Sequence, residues 1–159
     1  MKIARSTIIS RHWRPGQAVL AGLLATIAYS VAMEEDYKVV GNRFNDVEFI
    51  QGLLGKAGRS DAGLALAWLI HLLNGIALAQ IYGAVAKRFL PGPNWLKGAI
   101  FSEAFVCSVW SLAPVADKYH PLIKEGAMPK LATWPSFWQN LLRHLIFGLT
   151  LGLLYNDKN

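Results

Sequence analysis

From residue 62 to residue 86 the chain runs for 25 residues without a Lys, Arg, Asp or Glu, between Asp61 and Lys87. A helix of about 20 mostly apolar residues crosses a bilayer core at about 1.5 Å per residue, so this stretch alone predicts a transmembrane segment. Three further stretches have the same character, at 17–33, 95–113 and 135–155. The first is opened by Arg14-Pro15-Gly16 and closed by Glu34-Glu35-Asp36. The third follows Pro91-Gly92-Pro93, with Asn94 as N-cap, and Pro114 halts it. Trp134, Phe137 and Trp138 at one end of the fourth, and Tyr155 at the other, are placed like interfacial aromatic anchors. Composition agrees: 53% of residues are hydrophobic and only 16% charged, too few charges to keep a soluble domain of 159 residues dispersed.

A short pattern is written twice. His71-x3-Gly75-x3-Ala79-x2-Tyr82 recurs 73 residues later as His144-x3-Gly148-x3-Gly152-x2-Tyr155. Gly22-x3-Thr26 and Gly98-x3-Ser102 match more loosely, 76 residues apart. The expected fold is therefore all-α, a single integral membrane domain over 1–159. It is a four-helix bundle of two tandem two-helix repeats, related by a pseudo-twofold axis along the membrane normal. Lipid tails give helices no hydrophobic reason to associate, so small residues that admit close backbone contact have to hold them. Gly22, Gly75, Ala79, Gly148 and Gly152 are the expected packing residues, with the second and fourth spans meeting near the axis.

Charge sets orientation. With four spans, both termini and the 87–97 connection share one side, which carries eight Lys and Arg against seven on the other. Short basic flanks weigh most in the positive-inside rule, so both termini are expected in the cytoplasm. The net charge of +6 belongs to these flanks and does not indicate nucleic acid. The first region also has the make-up of a signal peptide ending at Ser30-Val31-Ala32; a retained helix is preferred because the repeat requires it. In the loop 34–61, Asn45 followed by Glu48 forms a capping box for a short surface helix presenting Val47, Ile50, Leu53 and Leu54. The loop 115–133, with Pro121, Gly126 and Pro129, reads as irregular.

The chain resembles the small bacterial inner-membrane proteins of unknown function grouped around YagU. The likeness rests on Gly22, Thr26, His71, Gly75, Tyr82, Gly83, His144 and Gly148, short motifs spread over most of the chain. It implies about four spans in a bacterial inner membrane, and brings no reaction, cofactor or catalytic residue.

Four titratable residues fall within spans: His71, Glu103, Arg143 and His144. A charged group at mid-span costs about 2.5–3.5 kcal/mol on insertion scales, so each needs a reason to be there. Glu103 and Arg143 are expected to pair, the long Arg stem closing an offset in depth of about 9 Å. His71 and His144, at matched depth, offer the two imidazoles that axial ligation of haem b uses. Neither has a carboxylate or thiolate at metal-ligand spacing. His12 and His120 lie outside the spans. The single cysteine, Cys107, excludes an internal disulfide. No phosphate-binding loop, His-Glu-x2-His or recognisable nucleophile pattern is present.

The function expected is a non-catalytic integral membrane subunit without a cofactor. It packs through its small-residue faces and Arg143 against a larger respiratory or photosynthetic complex, or against copies of itself. The alternatives are a small b-type cytochrome ligated by His71 and His144, and a homo-oligomeric channel or carrier using Glu103.

Overall fold

The structure, a computed structural model, describes residues 13–156; His12, and Lys2, Arg5, Arg11 and Lys158 among the eight basic residues counted on the terminal side, lie outside them. The described residues are helical with no strand. Helices α1 (Pro15–Val40), α3 (Asp61–Ala84), α4 (Asn94–Trp110) and α7 (Trp134–Leu154) form the long elements. Short helices α2 (Asp46–Leu53), α5 (Ala113–Tyr119) and α6 (Pro121–Lys124) lie in the connections, with single 3₁₀ turns at Gly55–Arg59 and Ala86–Phe89.

Two helices, α1 and α3, are long and apolar enough to cross a membrane, which marks the chain as a membrane protein. Helices α4 and α5 meet that requirement only jointly, and they are bent by 49° at the break between them. Pro114 sits in the first turn of α5, where its missing N–H costs nothing, so it starts a new helix as well as ending the old one. Helix α7 has 21 residues, but Gln139, Asn140, Arg143 and His144 dilute its apolarity and it is not among the candidates.

Helix α1 does not stop at its acidic residues. It runs two turns past Met33, through Glu34, Glu35 and Asp36, and ends where Gly41 takes the left-handed conformation (φ 74°) and donates to the Tyr37 carbonyl. Carboxylates end an apolar stretch without ending a helix, and here the extra turns carry Asp36 into the protein interior.

The principal helix pairs are α1 with α3, α4 with α7, and α1 with α7. Helices α3 and α7, expected to meet near the axis, are not a principal pair; α1 lies against α7 instead. The reason is polar. Ser136, Gln139, Asn140 and Arg143 are all buried on one face of α7, and the groups that satisfy Gln139 and Arg143 come from α1 and the segment after it.

Small residues set the other two pairs. A Cβ on Gly22 would lie 2.7 Å from the Ala79 Cβ and 2.9 Å from the Gly75 carbonyl oxygen, closer than real Cβ atoms come. A Cβ on Gly148 would lie 2.5 Å from the Gly98 carbonyl oxygen, and one on Gly152 2.9 Å from the Trp95 Cα. Hence Gly22, Gly75 and Ala79 bring α1 onto α3, and Gly148 and Gly152 bring α7 onto α4.

The connections pack over one end of the bundle. Asn45 caps α2, accepting from the Val47 and Glu48 amides at 2.8 and 3.1 Å. His120 is buried, stacks on Phe49 (centroids 4.2 Å apart) and makes a 2.9 Å hydrogen bond with the Phe49 carbonyl. The segment read as irregular thus contains two short helices, and its histidine fastens α2 in place.

Candidate functional site

Arg143 is the largest fully buried side chain among the described residues. Its partners are Asp36 and Asp46, and the expected pairing with Glu103 is not made. Arg143 grips Asp36 with two parallel hydrogen bonds, from Nε to Oδ2 and from Nη2 to Oδ1, the latter 2.8 Å. Nη1 donates to Asp46 Oδ2 at 2.9 Å, and Nη2 also donates to the Phe44 carbonyl at 3.0 Å. A planar guanidinium satisfies two carboxylates in this way where an ammonium would not. Gln139 Nε2 donates to Asp36 Oδ1 and to the Asn42 carbonyl, both at 2.9 Å, while Asn42 Nδ2 donates to Gln139 Oε1 at 2.6 Å. The residues between α1 and α2 are therefore stapled to α7.

Tyr29 extends the network inward. Its hydroxyl donates to Asp46 Oδ2 at 2.9 Å, and its ring packs against both intramembrane histidines, with centroids 5.5 Å from His71 and 5.1 Å from His144. His71 and His144 each stand ten residues into their helices, about 15 Å from the helix start.

The hydrogen bonds fix one tautomer. His144 Nδ1 lies 2.9 Å from the Asn140 carbonyl, which only accepts, so that nitrogen is protonated and Nε2 keeps a lone pair. Ser30 Oγ lies 2.8 Å from the Thr26 carbonyl and 3.2 Å from His71 Nε2, and its single proton can go to either, so His71 is compatible with both tautomers. Neither His71 Nδ1 nor His144 Nε2 is a buried orphan.

Both histidines line a cavity of about 440 Å³. Helix α2 contributes Phe49, Ile50 and Leu53; Phe105 of α4 and Phe147 of α7 complete the apolar wall. Helices α3 and α4 are not a principal pair, and the cavity lies in the cleft between them. Asn74 of α3 lines it, is exposed, and has no hydrogen-bond partner among the described residues. No group of three or more His, Cys, Asp or Glu that could hold a metal ion occurs among the described residues.

Glu103 stands apart. It is half-buried on α4, and its Oε1 is closed off from solvent without a hydrogen-bond partner among the described residues. Ala104, Cys107 and Ser108, beside it on α4, are exposed.

Sequence reasoning named His71, His144, Glu103 and Arg143 and missed Asp36, Asp46, Tyr29 and Asn74. One signal was present: Ser136, Gln139, Asn140 and Arg143 recur at helical spacing within an apolar helix, a buried polar face that demands partners.

Two bilayer-length apolar helices, α1 and α3, with α1 tied to α7 through a buried guanidinium–carboxylate network, define an all-helical membrane protein. Over residues 14–158 the chain matches, and belongs to, a family described as being of unknown function (DUF6789). No curated protein and no solved structure matches it.

Proposed function

We propose that the protein is a non-catalytic integral membrane subunit that packs against another membrane protein or a further copy of itself. Glu103 carries this reading. A half-buried carboxyl within a membrane segment, with no hydrogen-bond donor for its buried oxygen among the described residues, is costly, and a donor on a neighbouring subunit reaching its open side lowers that cost. The exposed small residues beside it admit close helix approach. Arg143, the group first expected to face a partner, is fully used by Asp36, Asp46 and Phe44 within the chain. The docking face is therefore the outer side of α4. In a homo-oligomer the Glu103 carboxyls would line the seam, which is where a channel or carrier role would reside.

The wider setting belongs to the same proposal: a bacterial inner membrane, four crossings with both termini cytoplasmic, and a respiratory or photosynthetic complex as host. So does kinship with the YagU group. A tandem repeat is supported by the parallel between Gly22 against Gly75 and Ala79, and Gly98 against Gly148 and Gly152. Thr26 and Ser102 also face Gly75 and Gly148 in the same way.

The test uses Cys107, the single cysteine, which is exposed on this face. Thiol crosslinking in native membranes, followed by mild detergent extraction and mass spectrometry, should give a specific adduct to a partner or a second copy. Glu103→Ala should weaken that adduct. A protein extracted alone as a monomer, uncrosslinked, refutes the proposal.

A second reading takes His71 and His144 as axial ligands of haem b, favoured by two imidazoles lining one cavity. The fit is poor at His71, whose free nitrogen is Nδ1, next to its own Cβ, where a macrocycle meets the side-chain stem. A Soret band lost in His144→Ala would establish it, and a colourless preparation would dismiss it.

A further inference from the structure

We infer that the cleft between α3 and α4 is a binding site for a neutral, lipid-soluble aromatic diol of the hydroquinone type, held by His71, His144 and Asn74. Four observations lead there. First, the cavity of about 440 Å³ falls in the range of small-molecule sites, about 300–1,000 Å³. Second, it is mostly apolar, and Phe105, Phe147 and the Tyr29 ring supply aromatic surfaces on which a flat ring packs. Third, His144 Nε2 is an acceptor, fixed as such by Asn140, and His71 Nδ1 is an acceptor or a donor according to its tautomer, so the complementary ligand brings two hydroxyls, each able to donate or accept. Fourth, Asn74 exposes an unpaired amide about 20 Å along a bilayer-length helix, where water is scarce and an unsatisfied amide is expensive.

The same features exclude other ligand classes. An anion would meet the Asp46 carboxylate, which also lines the cavity, and two neutral imidazoles offer it no charge. A molecule with a single hydroxyl would leave one imidazole nitrogen unmatched. A tail on the ring leaves through the side of the cleft, where α3 and α4 do not close on each other. This inference does not depend on Glu103 or on the identity of a partner subunit.

The test uses full-length protein in phospholipid nanodiscs and two probes, decyl-hydroquinone and its dimethyl ether, which keeps the ring and tail but has no hydroxyl donor. Binding is read by equilibrium dialysis against empty nanodiscs. The diol should bind with a stoichiometry of one per chain. The ether should bind at least about tenfold more weakly, as loss of hydrogen bonds worth about 1.4 kcal/mol implies. His144→Phe should weaken the diol and leave the ether unchanged, whereas Asn74→Leu, which removes a donor that either ligand's oxygens can accept from, should weaken both. Because the ether comparison alters only the ligand, it stands even if a variant fails to fold. Equal affinity for diol and ether, no saturable diol binding, or a purified protein already carrying haem in the cleft would overturn the inference.

Discussion

Replacing Arg143 with methionine isolates what the buried ion network contributes. Methionine keeps an unbranched stem of similar reach, so most of the packing survives and the loss is electrostatic. Arg143 is 0% exposed and Asp36 4%, and Arg143 supplies both arms of a bidentate pair. Without it Asp36 keeps only the Gln139 amide, in a site where water does not replace the missing donors. Breaking a buried pair by removing one partner costs about 3–5 kcal/mol, a large share of a domain stability of about 5–15 kcal/mol. Asp46→Asn should be far milder, about 1 kcal/mol, because Asp46 is 23% exposed and an asparagine oxygen still accepts from Arg143 and Tyr29. Removing both charges in Asp36→Leu/Arg143→Met should recover most of the single-variant loss, since the desolvation cost vanishes with the pair. Unfolding in one fixed detergent, followed by far-ultraviolet circular dichroism, gives the three stabilities. An Arg143→Met protein within about 1 kcal/mol of wild type, or an Asp46→Asn loss equal to it, would refute the reasoning.

Gly148→Ala should destabilise by about 1–3 kcal/mol or more, because its Cβ falls 2.5 Å from the Gly98 carbonyl and 2.7 Å from the Ser102 Cβ; the same unfolding assay checks it, and a neutral result would mean that α4 and α7 are not so close. Asn45→Ala should cost about 1 kcal/mol by leaving the Val47 and Glu48 amides uncapped, read as earlier hydrogen exchange in α2. Glu48 has its pKa raised by burial and, secondarily, by the Glu34 carboxylate. The folded state then binds its proton more tightly than the unfolded one, so stability should fall as pH rises through the carboxylate range. Glu48→Gln should flatten that dependence in melting curves taken from pH 4 to 7, and an unchanged slope would count against it.

The long apolar helices and their small-residue contacts were legible because both are written locally. Apolar periodicity, a proline before a helix and a glycine every fourth residue depend only on neighbours in sequence, and lipid leaves few alternatives for them. The end of α1 was misread because three acidic residues look like a solvent boundary. They are continuous helix, and Asp36 faces inward only because Arg143 lies opposite, 107 positions away in the chain. Glu103 was paired with Arg143 on depth alone, and depth along two helices says nothing about azimuth. His120 carried no local mark at all; its burial follows from α6 packing onto α2.

The amino-acid order by itself determined that this chain is helical, suited to a bilayer, and punctuated by glycines where helices approach, because each follows from composition over one or two turns. Only the tertiary structure decided which charges meet, that α1 rather than α3 lies against α7, and that the two imidazoles line one cleft. Those outcomes depend on the relative rotation of packed helices. That rotation is set jointly by distant polar groups that must all be satisfied at once.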